Sequence, residues 1–211
     1  TQALGFRNYG DEYKVMGLAP YGKENYYDLL SELFIDKSLD LNLKYFNHIK
    51  KNFTYNFEGI PNQSNLISEN FINKIKKKVE ENNELIENNE NLACSAQKIF
   101  EEKVFSLFKE KFLKLSQNLT LSGGCAMNSS CNGKIYKKNL FKNIYLCPAP
   151  GDAGGAIGSS LIYLKKKFKR NQFKNIDNAF LGPSYNNSEI KEIIENNDKL
   201  QNHICHFYDN K

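Results

Sequence analysis

The sequence predicts an α/β fold in which short strands alternate with helices on a parallel or mixed sheet, with a mostly helical insertion. Three observations predict it. Apolar runs at 119-LTLS-122 and 143-NIYLC-147 are each followed by a glycine turn and a helical stretch, the pattern of strand–turn–helix units. A long amphipathic stretch at helical period, 91–116, precedes the first of them. Residues 24–90 have amphipathic segments but no glycine motif beyond Gly59, so they read as an insertion.

Taken in order, residues 1–23 are punctuated by Gly5, Gly10, Gly17 and Gly22. Within them 12–19 is expected as one short helix, with 19-APYG-22 as a turn. The insertion has an amphipathic segment from Tyr26 to Phe34 and two aromatic runs, 44-KYFNHI-49 and 53-FTYNF-57, which suggest a short hairpin near 40–57. In 91–116, Leu92, Ala96, Ile99, Phe100, Val104, Leu107, Phe108, Phe112 and Leu115 recur at helical steps; phenylalanine at that spacing is core packing. After strand 119–122, residues 126–138 read as a helix that Gly133 can break. Pro148, Pro150 and Gly151 end strand 143–147, and 152–168 is a helix whose first turns are built of Gly, Ala and Ser. Right-handed connections place both glycine turns at the carboxyl edge of the sheet, where open α/β sheets bind ligands. Gly182-Pro183 is a break, after which Ser184 or Asn187 caps a helix beginning near Ser188. Residues 198–211 begin one more element.

Composition narrows the class. The chain has 211 residues, 40% of them hydrophobic, enough for one large domain or a domain plus part of another. A mean hydropathy of -0.59 reflects heavy use of Asn and Lys. Net charge is +5, with lysines gathered at 74-KIKKK-78, 134-KIYKK-138 and 165-KKKFKR-170. Few aromatics interleave with them, which favours solvated helix faces over a nucleic-acid surface. Five cysteines (94, 125, 131, 147 and 205) show no framework spacing, so a reducing, cytoplasmic setting is expected. No apolar run is long enough to span a bilayer. The chain starts at Thr1 and stops after 206-HFYDNK-211, and both ends read as cut from something longer.

The chemistry gathers at 121-LSGGCAMN-128 and 147-CPAPGDAGGAIG-158. A glycine after a strand lets a ligand approach without a Cβ in the way, and a helix starting there turns its positive end to the crevice. Ser122, Gly123 and Gly124 offer such a surface, and Asn128 adds an amide. The same stretch also suits a tight turn with no ligand, and it is neither a P-loop nor a dinucleotide fingerprint. Asp152 has two readings, a helix N-cap or a metal ligand or ligand anchor. The neighbouring Gly154, Gly155 and Gly158 each cost a helix about 1 kcal/mol, which a cap alone does not require. In 10-GDEYKVMG-17, Asp11, Glu12 and Lys14 suit a ribose, a hydroxyl substrate or a phosphate, or else a capped helix start. His203, Cys205 and His206 lack a second Cys/His pair at finger spacing, and His48 reads as structural.

The stretches 10-GDEYKVMGLAPYGK-23, 121-LSGGCAMNSSCNGKI-135, 148-PAPGDAGGAIGSSL-161 and 181-LGPSY-185 resemble the carbamoyltransferases of the nodulation and antibiotic-biosynthesis type. The anchored parts cover 1–23 and about 92–194; no motif in 24–90 matches. The resemblance implies that 1–179 is part of a carbamoyl-transfer domain, the second lobe of an actin/hexokinase/heat-shock-ATPase-class (RNase H-like) fold. Residues 24–90 are then its helical insertion, and 180–211 open the adenylate-forming domain or a linker to it. It implies ATP-dependent transfer from carbamoyl phosphate, through carbamoyl adenylate, to a hydroxyl of a sugar or natural product, with a divalent metal for which iron is the expected ion. By the resemblance, Ser122, Gly123, Gly124 and Asn128, with Gly151 and Gly154, hold the nucleotide. Asp152 is the metal aspartate, and Asp11, Glu12 and Lys14 form the block near nucleotide and acceptor, where Asp11 or Glu12 takes the acceptor's proton.

The sequence departs from the family in lacking its His-x-x-x-His metal motif, its Arg-rich carbamoyl-phosphate block and its first phosphate loop. The expected partners therefore include the missing N-terminal lobe and C-terminal domain of the same enzyme, and little turnover is expected of the isolated chain. No membrane and no nucleic acid are expected. The alternatives are a threonylcarbamoyl-transfer protein acting on tRNA and a non-catalytic nucleotide-binding or scaffold fragment.

Overall fold

The structure is a computed structural model that describes residues 1–8, 10–35, 39–47, 54–56, 60, 66–169, 176, 180–197 and 199–200. It divides into two compact units, Thr1–Asn171 and Gln172–Lys211.

The first unit is organised around one long helix. α1 (Glu12–Leu18), α2 (Tyr27–Ser31), α3 (Glu69–Glu81) and α4 (Glu90–Leu107) form its N-terminal part. α4 starts where Asn89 accepts the Leu92 N–H at 2.8 Å, a side-chain N-cap. Its first turns place Leu92, Ala93 and Ile99 in a cluster with Leu4, Tyr26, Leu30 and Tyr45. On α3, Phe71, Ile75 and Val79 join the same cluster. Their i, i+4, i+8 spacing makes one apolar stripe, and each burial stabilises by about 1.5–3 kcal/mol. Gly22 belongs to this packing, because a Cβ there would lie 2.0 Å from the Glu90 carbonyl oxygen. The 19-APYG-22 turn thus presses backbone to backbone on the start of α4.

The far end of α4 serves a second cluster. Phe108, Leu119, Cys131, Ile135 and Phe141 are buried there, with Phe100, Val104 and Phe105 packed against them. The expected helix over 91–116 does not run its full length. Its α-helical part ends at Leu107, and Phe108–Phe112 form a wider π turn, with the Leu113 N–H bonded to the Phe108 carbonyl at 2.9 Å. The widened turn rotates the stripe, leaving Phe112 at 40% and Leu115 at 77% exposure instead of in the core.

The two expected strands form. β1 (Asn118–Leu121) and β2 (Asn143–Leu146) pair in parallel, with Asn118 opposite Asn143 and Leu121 opposite Leu146. α5 (Ser129–Lys137) lies between them in the chain and α6 (Gly154–Phe168) follows β2. α5 runs unbroken through Gly133 and begins later than expected, because Gly124–Met127 form a separate 3-10 turn. In the insertion, isolated bridges join Phe34 to Leu41 and Phe46 to Ile67. The expected hairpin near 40–57 falls partly on 48–53 and 57, outside the described residues.

In the second unit, α7 (Asn187–Glu195) is capped by Asn186 and not by either expected residue, Ser184 or Asn187. Asn186 accepts the Glu189 N–H at 2.9 Å while Glu189 accepts the Asn186 N–H at 2.7 Å, a reciprocal capping box.

Candidate functional site

Because β1 and β2 are parallel, the turns that follow them leave the sheet at the same edge. They are joined directly: the Gly123 N–H donates to the Pro150 carbonyl at 2.6 Å. Gly123 has φ +93°, a left-handed conformation that strains any residue with a Cβ. Ser122, Gly123, Gly124 and Cys125 are exposed, and a Cβ at Gly124 would meet nothing within 4 Å. Met127 lies over the second turn, where a Cβ on Gly151 would come within 2.8 Å of its sulfur.

The first turn is held from below. Asn128 caps α5, its Oδ1 accepting the Cys131 N–H at 2.9 Å. The same oxygen accepts from Gln97 Nε2 at 3.0 Å, and Asn128 Nδ2 donates to Gln97 Oε1 at 2.9 Å. Gln97 in turn donates to Glu101 Oε1 at 2.9 Å, which also accepts from Ser130 Oγ at 3.2 Å. Lys134 Nζ pairs with Glu101 Oε2 at 2.5 Å. Asn132 Nδ2 closes the turn on the Ala126 carbonyl at 2.7 Å. Reading the sequence missed Gln97 and Glu101. The available signal was their i, i+4 spacing in line with Ala93, a residue of the buried side of α4.

The second turn is barer. Asp152 is exposed and its carboxylate makes no hydrogen bond or ion pair among the described residues. It does not cap α6: the N-cap position is Ala153, with no side-chain bond. Instead the N–H groups of Gly154, Gly155 and Ala156 bond to the carbonyls of Gly151, Asp152 and Ala153 at 3.0, 3.0 and 3.3 Å. Gly154 is required by its own loop, since a Cβ there would lie 2.1 Å from the Ala149 carbonyl oxygen. Gly155 and Gly158 face open space. Among the described residues no three His, Cys, Asp or Glu side chains converge on one point. Asp152 is a hard oxygen donor that fits as one ligand of a metal ion, but it does not make a site by itself.

The N-terminal block divides internally. Asp11 is buried at 7% exposure, pairs with Lys14 at 2.8 Å and accepts the Asn8 N–H at 3.1 Å. The Lys14 ammonium, helped by the Asn8 N–H, holds the Asp11 carboxyl below the usual carboxylate range, and Asp11 raises Lys14 in return. A carboxylate stabilised in this way is a weak base. Glu12 is exposed and stands on the rim of a cleft of about 760 Å³ whose walls are largely apolar, among them Leu33, Phe34, Phe100 and Leu107. No residue of either glycine turn lines that cleft. α1 does reach the first turn at its other end, where Ser129 Oγ meets Met16 Sδ at 3.7 Å. His48, His203, Cys205 and His206 lie outside the described residues.

Residues 1–161 match the family described as carbamoyltransferase N-terminus. The chain is 33% identical to an uncharacterized protein of Synechocystis sp., over 92% of its own length and 31% of the relative's. It is 25% identical to nodulation protein NolNO of Sinorhizobium fredii, over 90% of this chain and 26% of that one. With nodulation protein NolO of Bradyrhizobium diazoefficiens it shares 26% identity, over 87% and 30% of the two chains. The chain thus spans 26–31% of the length of these relatives. No helix among the described residues is long and apolar enough to cross a membrane.

Proposed function

This chain belongs to the carbamoyltransferase family, and we propose that the whole protein transfers a carbamoyl group from carbamoyl phosphate, activated with ATP as carbamoyl adenylate, to a hydroxyl of a small molecule. The observation that carries this reading is the hydrogen-bonded pair of glycine turns at one sheet edge, Gly123 to Pro150, within a segment matched to the family. In this reading the first turn receives the nucleotide part. Gly123 and Gly124 leave room for it, and the Ser122 hydroxyl stands exposed at its rim. Gly151 and Gly154 shape the second turn so that Asp152 faces solvent, free to serve as one ligand of a divalent ion completed by residues outside this chain. Lys14, kept charged by Asp11, balances negative charge near the reacting groups. In this reading the exposed Glu12, rather than Asp11 held by Lys14, would take the acceptor's proton. The fold would be the second lobe of an ATPase-class domain. Tyr145 and Leu146 of β2 and Ile162 of α6 are 42%, 38% and 58% exposed, surface that further strands and helices of the whole enzyme would cover.

The test is Asp152→Ala in the full-length protein, assayed for carbamoylated product from carbamoyl phosphate, ATP and a panel of hydroxyl acceptors. Product formation is expected to fall by more than about a hundredfold, the scale of losing a metal's charge stabilisation. Stability should stay within about 0.5 kcal/mol, because the exposed carboxylate makes no hydrogen bond or ion pair among the described residues. Retained turnover would remove Asp152 from the site.

A further inference from the structure

We propose that Gln97 and Glu101 of α4 are positioning residues for the nucleotide turn, acting through the Asn128 amide; this rests on the proposed reading of Gly123–Asn128 as the nucleotide turn. Both side chains are buried, at 9% and 3% exposure, on a helix that contributes no residue to either glycine turn. Burial of an amide and a carboxylate is costly unless their hydrogen bonds are made. Here they are made in a way that leaves one arrangement.

The ordering begins at two groups that cannot reverse. The Glu101 carboxylate, paired with Lys134, only accepts, so the Gln97 NH₂ must face it. The Cys131 backbone N–H only donates, so Asn128 must turn its oxygen to the helix start. With those ends set, the remaining Gln97 N–H meets Asn128 Oδ1 and the Asn128 NH₂ meets Gln97 Oε1. The two amides close a ring with both orientations determined. Lys134 and Ser130, one helical turn apart on α5, hold Glu101 from the other side. No buried side-chain nitrogen or oxygen among the described residues lacks a partner.

The consequence reaches the turn through backbone. Asn128 is the last residue of the turn and the cap of α5. Its N–H bonds to the Cys125 carbonyl at 3.2 Å, and Ala126 N–H bonds to the Gly123 carbonyl at 3.0 Å. Gly123 then holds Pro150. A buried carboxylate on α4 therefore sets the shape of an exposed loop that it does not touch. Pre-organising a loop removes the ordering cost of binding, so the network should act on nucleotide affinity rather than on the chemical step.

The experiment compares Gln97→Met and Glu101→Gln with the parent full-length enzyme, measuring KM and kcat for transfer with carbamoyl adenylate supplied directly, and amide exchange across 122–131. Gln97→Met keeps the side-chain length without the amide. It should raise KM for the adenylate by about tenfold, the worth of one well-made hydrogen bond, with kcat within about twofold. Amides 123–131 should exchange faster. Glu101→Gln keeps the volume but lets Gln97 turn round, and it should show the same KM-against-kcat split at smaller size. A variant that only folds poorly would lower the active fraction, and so apparent kcat, with KM unchanged; that outcome overturns the positioning role. Unchanged adenylate KM and exchange in both variants overturns it as well, while leaving the nucleotide reading standing if the parent turns the adenylate over. A parent that does not turn the supplied adenylate over overturns both.

Discussion

Both glycine turns leave a parallel strand at the same sheet edge, yet the helices behind them are treated differently. α5 buries Cys131 and Ile135 and receives Gln97, Glu101 and Phe108 from α4's side. α6, with Ile157, Leu161, Ile162 and Leu164 along it, buries no residue. The first turn has a capping side chain with two further bonds, and the second has an uncapped start and a bare carboxylate. A chain completes a structure where its own residues can satisfy both the polar and the apolar groups. By that measure the first turn is finished by this segment, and the second, in the reading proposed above, is finished by the rest of the enzyme.

The comparison can be broken most sharply at Gly154. A valine there would put its Cβ 2.1 Å from a backbone carbonyl that cannot rotate away, so the Asp152 loop must shift. In the full-length enzyme kcat/KM should fall by about a hundredfold, the effect of a displacement near 1 Å at a reacting centre. Gly155→Ala, which meets open space, should stay near the parent. Equal activity of both variants would show that the second turn has no role in transfer.

A smaller effect is expected in the first turn, on stability. Asn128→Ala removes the α5 cap and strands the Gln97 amide, a loss of about 2 kcal/mol in denaturant unfolding. A loss under about 0.5 kcal/mol would mean that the turn is not held by this network. The smallest effect is chemical. Burial pushes the Cys131 thiol up to about 11, so it stays protonated and unreactive at pH 8 and gains thiolate only as pH approaches that value. Cys125, in the first turn, is exposed. Iodoacetamide at pH 8 should therefore modify Cys125 and spare Cys131 by mass spectrometry. Rapid labelling of Cys131 would show that α5 opens readily.

Much of this was readable in one dimension. The strands at 118–121 and 143–146, the helices after them and the 12–18 helix followed from periodicity and glycine punctuation, which are local properties of the chain. What periodicity misplaced also has local causes. Phe112 and Leu115 keep the helical spacing, but the π turn at Phe108–Phe112 adds a residue to the turn and rotates them outward. The reading of Asp152 as a cap failed because the i→i+3 bonds of 151–156 start α6 without a side chain.

The sequence by itself determined the strand–turn–helix order, the two glycine turns and the motif blocks that place the chain among the carbamoyltransferases, because each is set by residues close together. Tertiary structure alone decided which glycines serve packing. Gly22 is needed against Glu90, 68 positions along, while Gly124 faces open space. It also decided that Gln97 and Glu101 lie beneath Asn128, 31 residues beyond Gln97. The partner of a buried amide is whatever a second helix presents when the two pack together, and no spacing within either helix encodes that.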